Sequence, residues 1–227
     1  MRLAINNKNN LRDAMRIAFL SAALLASGAA VAATPVDGLY ASVFGGYTFM
    51  PANTSFTTTT GILVNGTSYD SGYNVGGRFG YKSTPLRYEG EITYMQADLD
   101  KFYINGIRQT GISGQTSATA AMANVYYDFP DMVPCVSPFV GVGLGFVGVD
   151  AKLNSAGPNG YTQFRGSNTV FGYQGTGGFT FNFNENYALN IAYRYMATDK
   201  VDDLGKIFQA HMASAGVIYR FDEALYK

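Results

Sequence analysis

Charge is scarce in this sequence of 227 residues. Only 14% of its side chains are charged, compared with about 25% in an ordinary soluble domain. The 16 basic and 16 acidic side chains cancel, so the chain lacks the clustered positive surface that binds nucleic acid. We therefore expect no nucleic-acid partner.

Cysteine is almost absent as well. Cys135 is the single cysteine, so no intramolecular disulfide can hold the fold together. It lies in the turn-like stretch PDMVPCVSP, and no metal-binding or nucleophile pattern surrounds it. We expect a free or intermolecular thiol there, and we predict neither a cofactor nor a metal.

The first 33 residues are typical of a secretory signal peptide. Four basic side chains precede the apolar stretch IAFLSAALLASGAAVAA (17–33), which ends in small residues that suit signal peptidase. A membrane-anchoring helix is the alternative, but the apolar stretch is short for one. We expect a cleaved signal peptide at 1–33 and an exported domain at 34–227.

Aromatic residues and glycine are abundant, and they fall into runs that alternate with a period of two. Such a run places one face of a β-strand in an apolar medium and the other in a polar one. Most runs have more residues than the about 5–6 of a soluble strand, and match the about 9–11 of a tilted membrane-spanning strand. The eight runs are 38–49, 72–83, 87–97, 117–129, 137–149, 168–183, 187–198 and 208–221.

The connections between the runs alternate in length. Those after even-numbered runs are short, and those after odd-numbered runs are long: 50–71, 98–116, 150–167 and 199–207. Tight periplasmic turns and long external loops are typical of a barrel in a bacterial outer membrane. We predict an all-β fold, an eight-stranded antiparallel up-and-down transmembrane β-barrel whose last strand pairs with its first.

A secreted lipocalin-like barrel is the alternative, because alternation alone does not say which face points inward. Long strands, Tyr and Phe near strand ends and two-sided loop lengths favour the membrane barrel. The polar side chains of each strand would then line the lumen, and charges buried there must be paired. The predicted lumen network is Arg78, Lys82, Arg87, Glu89, Glu91, Asn124, Asp128, Arg194 and Arg220.

Two partnerships follow from this parity. The short turn between runs two and three brings Arg78 and Lys82 close to Glu89 and Glu91. Arg220 needs an acceptor, either Asp128 or backbone carbonyls at the periplasmic end. A salt-bridged plug is the first interpretation of the network, and a gated water or ion path is the second.

Several strands resemble those of small bacterial outer-membrane barrels: the transmembrane domain of outer-membrane protein A, opacity-type proteins and porin-family surface antigens. The similar stretches are RFGYKSTPLRYEGE (78–91), NVYYDFP (124–130), PFVGVGLGF (138–146), LNIAYRY (189–195) and GVIYRF (216–221). The resemblance implies an outer-membrane location in a Gram-negative bacterium, contact with outer-membrane lipid and insertion by the barrel-assembly machinery. It also implies an assembly signal at Val217, Tyr219 and Phe221.

Two departures limit what the resemblance implies. The tail after Phe221 is too short for a peptidoglycan-binding domain. Arg194 does not clearly match the arginine in the lumen ion pair of outer-membrane protein A, so no gating mechanism is carried over.

Three functions are consistent with the sequence. A non-enzymatic surface protein would contact host or other extracellular molecules through its four long loops. A small porin-like diffusion channel is the alternative. A lipid-modifying or proteolytic enzyme is disfavoured because the single histidine, His211, faces the opposite side of its strand from Ser214.

Overall fold

The computed structural model describes residues 37–51, 53–57, 63–69, 71–104, 107–108, 110–130, 135–157, 160–201 and 206–221. These residues form eleven β-strands. In this part of the chain, no helix is long and apolar enough to cross a membrane. The predicted signal peptide at 1–33 and the tail at 222–227 lie outside the described residues.

Eight long strands make up the barrel wall. They are β1 (Gly38–Phe49), β4 (Gly72–Ser83), β5 (Leu86–Ile104), β7 (Thr110–Asp128), β8 (Val136–Gly157), β9 (Gly160–Asn182), β10 (Tyr187–Val201) and β11 (Lys206–Arg220). Each pairs antiparallel with the next long strand along the chain.

The pairing of β1 with β11 closes the barrel. Tyr40 lies opposite Arg220 at one end of this antiparallel pair, and Phe49 lies opposite His211 at the other. Each of the eight long strands therefore has a paired strand on both sides, so that its backbone groups are hydrogen-bonded within the wall, as hydrocarbon requires. The predicted eight-stranded antiparallel barrel, with its last strand paired to residues 38–49, is confirmed.

The apolar face of the wall points outward. Val142, Val43 and Ile92 are 69%, 68% and 65% exposed, whereas their neighbours in sequence on the other face are buried or half-buried. A soluble barrel would bury these side chains in its interior. The soluble alternative is therefore wrong, and the outward face is the one that suits lipid.

The connections divide the barrel into two ends. Residues 84–85, 183–186 and 129–135 join consecutive strands at what we call the short-turn end. The opposite end, which we call the long-hairpin end, carries the connections predicted as long loops. At the short-turn end, the rings of Tyr187 and Tyr219 contact each other on the outer surface of the barrel, with 5.1 Å between their centroids.

Much of each predicted loop is strand. β5 and β7 extend through most of 98–116, while β8 and β9 leave only 158–159 between them. Within 50–71, β2 (Asn53–Thr57) pairs with β3 (Leu63–Tyr69), which pairs in turn with β5; β6 (Ile107–Arg108) also joins β5. The loop prediction is wrong on this point, because these segments lack the apolar alternation that marked the eight runs.

Candidate functional site in the lumen

The nine polar side chains of the predicted lumen network all point away from the outer surface of the wall. Each is at most 9% exposed. Arg78 and Lys82 come from β4, Arg87, Glu89 and Glu91 from β5, Asn124 and Asp128 from β7, Arg194 from β10 and Arg220 from β11. Among the described residues, every buried charged side chain belongs to this set.

Seven of these side chains form a chain of alternating charge. It starts at the short-turn end, where Lys82 Nζ lies 3.3 Å from Asp128 Oδ2. The other oxygen of Asp128 accepts a hydrogen bond from Arg87 Nε at 2.8 Å. Arg87 Nη1 then donates to Glu89 Oε1 at 3.0 Å.

The chain of charges continues toward the middle of the barrel. Arg78 Nε lies 3.6 Å from Glu89 Oε2 and donates to Glu91 Oε2 at 2.7 Å. The second oxygen of Glu91 accepts a hydrogen bond from Arg194 Nη1. Each carboxylate is thus shared by two cations, an arrangement that compensates its desolvation inside the wall.

Arg194 lies at the centre of the lumen and is 0% exposed. Besides Glu91, it donates from Nη2 to Ser214 Oγ at 3.2 Å. The ring of Phe44 takes part as well, with Arg78 Cζ 4.1 Å and Arg194 Cζ 4.4 Å from its centroid. These distances lie within cation–π range.

The network holds aromatic side chains that sequence reasoning missed. Tyr40 donates from its hydroxyl to Glu89 Oε1 at 2.5 Å, and Arg87 Cζ lies 4.9 Å from the ring of Tyr126. Neighbouring glycines make room for these rings: a Cβ on Gly76 would lie 2.5 Å from Phe44 Cζ, and one on Gly141 would overlap Tyr126 Cδ1. The signal was in the sequence, because all three aromatic residues occupy the inward parity of their strands.

The predicted partnerships are met in part. Arg78 reaches Glu89 and Glu91, but Lys82 pairs with Asp128. Arg220 uses a backbone carbonyl, that of Glu185 at 3.3 Å, and Asn182 Oδ1 at 2.5 Å. Arg194, to which the sequence assigned no partner, forms the central ion pair with Glu91.

Toward the long-hairpin end the lumen is apolar, which the expectation of a polar lumen did not foresee. Its largest fully buried apolar side chains include four methionines, each at most 2% exposed: Met50, Met95, Met196 and Met212. They pack in one cluster with Met122, Val147, Val149, Phe208 and small alanines. The ion pairs thus lie in the short-turn half and at the centre, whereas the buried polar side chains toward the long-hairpin end, such as Thr48 and Thr198, are uncharged.

His211 lies on the outer face of β11, apart from Ser214. Its Nδ1 is 2.6 Å from the hydroxyl oxygen of Tyr193, and the ring of Tyr195 lies 5.0 Å away. Ser214 instead points into the lumen, where its hydroxyl donates to Asn74 Oδ1 at 2.8 Å. Within the described residues, no group of three His, Cys, Asp or Glu side chains is placed to hold a metal ion.

The three residues of the predicted assembly signal lie at the short-turn end of β11 or just after it. Val217 and Tyr219 are 51% and 37% exposed on the outer face. The Phe221 ring contacts the Tyr219 ring at 5.2 Å between centroids, and its backbone N–H donates to the Leu39 carbonyl at 2.9 Å. Their part in assembly stays a prediction.

Comparison with known proteins gives a family and a fold. A family model described as the outer membrane protein β-barrel domain matches residues 17–221. Neisserial surface protein A is 20% identical with a TM-score of 0.53, covering 81% of this chain and 97% of that one. The outer membrane protein OprG from Pseudomonas aeruginosa is 13% identical with a TM-score of 0.52, covering 82% of this chain and 99% of that one. No curated protein sequence matches.

Proposed function

The chain belongs to the outer membrane protein β-barrel domain family, and we propose that it is a non-enzymatic surface protein of the Gram-negative outer membrane. In such barrels short turns face the periplasm and long connections face outward. The long-hairpin end is then the extracellular end. In this function the barrel is a membrane anchor, and its hairpins contact host or other extracellular molecules.

The length of β8 and β9 is the observation that carries the proposal. They contain 22 and 23 residues, whereas a tilted strand crosses the hydrocarbon core in about 9–11. At about 3.3 Å per residue, each strand is roughly 70 Å long. The outward face of β8 is apolar up to Phe146 and then reaches the exposed Asp150. These features support a hairpin that projects well beyond the membrane surface as an ordered contact surface.

The content of the lumen favours an anchor over a channel. An eight-stranded barrel is only wide enough for side chains to fill its interior. Here the ion-pair network occupies the short-turn half and the methionine cluster occupies the other. The placement of His211 among aromatic rings, away from Ser214, supports a non-enzymatic role.

The proposal is tested by shortening one hairpin and leaving the wall intact. Asp150 and Ser167 lie opposite each other on β8 and β9, so Asn-Gly in place of 151–166 gives a tight two-residue turn between them. Cells that carry the full chain should adhere to a cultured epithelial monolayer several-fold better than cells without it, and the shortened variant should lose this gain. A heat-dependent gel shift verifies that both forms fold.

Two results would contradict the proposal. Equal adhesion with and without the protein would remove the contact role. Steady, sizeable single-channel openings of the purified full chain in planar bilayers would favour the porin-like alternative instead.

A further inference from the structure

The buried charges of the lumen do not balance. Among the described residues, five buried side chains are cationic and three are carboxylates. The alternating chain described above begins with Lys82 and ends with Arg194, so it holds one more cation than anions. Arg220 adds a second. The net positive charge of two on these described side chains requires compensation, because an unpaired buried charge costs several kcal/mol.

Arg220 is the cation with the weakest compensation. Its guanidinium donates to Asn182 Oδ1 at 2.5 Å and to the Glu185 carbonyl at 3.3 Å, and both acceptors are neutral. In the part of the chain that the structure describes, it is the one lumen cation without a carboxylate partner. Its neighbour Lys82 shares Asp128 with Arg87 at the longer distance of 3.3 Å.

A cavity lies where these cations meet. Lys82, Arg87 and Arg220 line it together with a single carboxylate, Asp128. Hydroxyl and amide groups, such as those of Thr180 and Asn182, also line the cavity. The cavity has a volume of about 10 Å³, which corresponds to roughly one small bound species.

A second observation points to a ligand that accepts hydrogen bonds. Arg87 is 5% exposed, and its Nη2 has no hydrogen-bond partner although it is buried. The guanidinium stacks near the rings of Tyr126 and Phe139, at 4.9 and 4.8 Å, but ring contacts leave an in-plane N–H donor unused. Guanidinium and ammonium groups are donors with no acceptor capacity, so an anion satisfies what their neighbours here do not.

We propose that the short-turn end of the lumen is a binding site for one small monovalent anion of the halide class, held by Arg220, Lys82 and Arg87. A cavity with room for roughly one small species suits a single-atom anion better than phosphate, sulfate or a lipid headgroup. The bound anion removes one of the two excess positive charges and ties β4, β5 and β11 together where the barrel closes. This site is distinct from the extracellular contact surface of the proposed function.

The experiment compares anions at equal sodium concentration. The refolded full chain in a zwitterionic detergent is heated in sodium chloride, sodium bromide or sodium gluconate, and the folded fraction is followed by gel shift. Chloride and bromide should lower the unfolding equilibrium constant progressively once their concentration exceeds the dissociation constant of the site. The decrease is about 100-fold at a halide concentration 100 times the dissociation constant, whereas gluconate should give none.

Variants locate the effect. Arg220→Gln and Lys82→Gln should lose the halide dependence. Arg165→Gln also removes a positive charge, but near the far end of β9, and this variant should keep the halide dependence. Broadening of the chloride-35 NMR line by the unmodified protein provides a second measurement that does not depend on any variant folding. Bromide competing with the bound chloride should reverse that broadening.

Three outcomes would overturn the proposal. One is equal stabilisation by gluconate and chloride. Another is an unchanged halide dependence in folded Arg220→Gln. The third is a chloride-35 line that the unmodified protein does not broaden.

Discussion

Glu91 and Arg194 lie 103 residues apart in the chain and form an ion pair across the lumen. Both side chains are 0% exposed. Glu91 comes from the third strand of the barrel wall and Arg194 from the seventh, so the pair links opposite sides of the barrel. Because Glu91 also binds Arg78, it is the carboxylate on which the centre of the network depends.

Replacing Glu91 should therefore destabilise the barrel strongly. In Glu91→Gln, Arg78 and Arg194 keep their charges but lose their shared carboxylate, and breaking a buried ion pair in this way costs about 3–5 kcal/mol. The free energy of unfolding, measured by urea titration in lipid vesicles, gives the loss. Glu185→Gln at the exposed turn before β10 removes the same charge and should change stability by less than about 0.5 kcal/mol. A similar small change for Glu91→Gln would show that the ion pair contributes little.

The glycine opposite Phe44 should not accept a side chain. A Cβ on Gly76 would overlap the Ile92 carbonyl oxygen and would lie 2.5 Å from Phe44 Cζ. Gly76→Ala should cost about 1–3 kcal/mol, the usual cost of overpacking. Gly175→Ala is the matched control, because a Cβ added there, on the outer face of β9, would have nothing within 4 Å. Thermal gel-shift midpoints of the two variants should differ, and equal midpoints would contradict the crowding around Phe44.

A charge on the outer face of β8 should distinguish lipid from water. Val142 is 69% exposed within the apolar stretch, so Val142→Arg places a guanidinium in hydrocarbon at a cost of about 2–4 kcal/mol. Asp150→Arg, on the same face beyond this stretch, should cost about 0–1 kcal/mol. Urea titration in vesicles measures both. If Val142→Arg were as stable as the parent, this face of β8 would not lie in the membrane.

Phe221 should matter for insertion in cells more than for the stability of the barrel. The resemblance to outer-membrane barrels assigns it, with Val217 and Tyr219, to the signal that the assembly machinery recognises. Phe221→Ala should lower the amount of folded protein in outer-membrane fractions several-fold but leave spontaneous refolding in detergent almost unchanged. Phe183→Ala, another exposed aromatic at the short-turn end, serves as the control. Equal losses in cells and in detergent would assign Phe221 a structural role only.

The sequence by itself determined the wall. Alternation with a period of two set the number of barrel strands and the face that each side chain takes, since successive side chains of a strand must point to opposite sides. β1 and β4 have the bounds that the pattern predicted, 38–49 and 72–83. The same parity placed Arg78, Glu91 and Arg194 inside without revealing which of them meet.

Only the tertiary structure decided the contacts across the lumen and the reach of the hairpins. Partners on opposite walls depend on the tilt and stagger of all eight strands, which no single strand encodes; the pairing of Arg194 with Glu91 was therefore not predicted. The methionine cluster was hidden because an apolar inward residue beside an apolar outward one weakens the alternation. β8 and β9 extend past their predicted ends for a related reason. Beyond the lipid no apolar medium enforces the alternation, yet backbone hydrogen bonds continue to pair the strands.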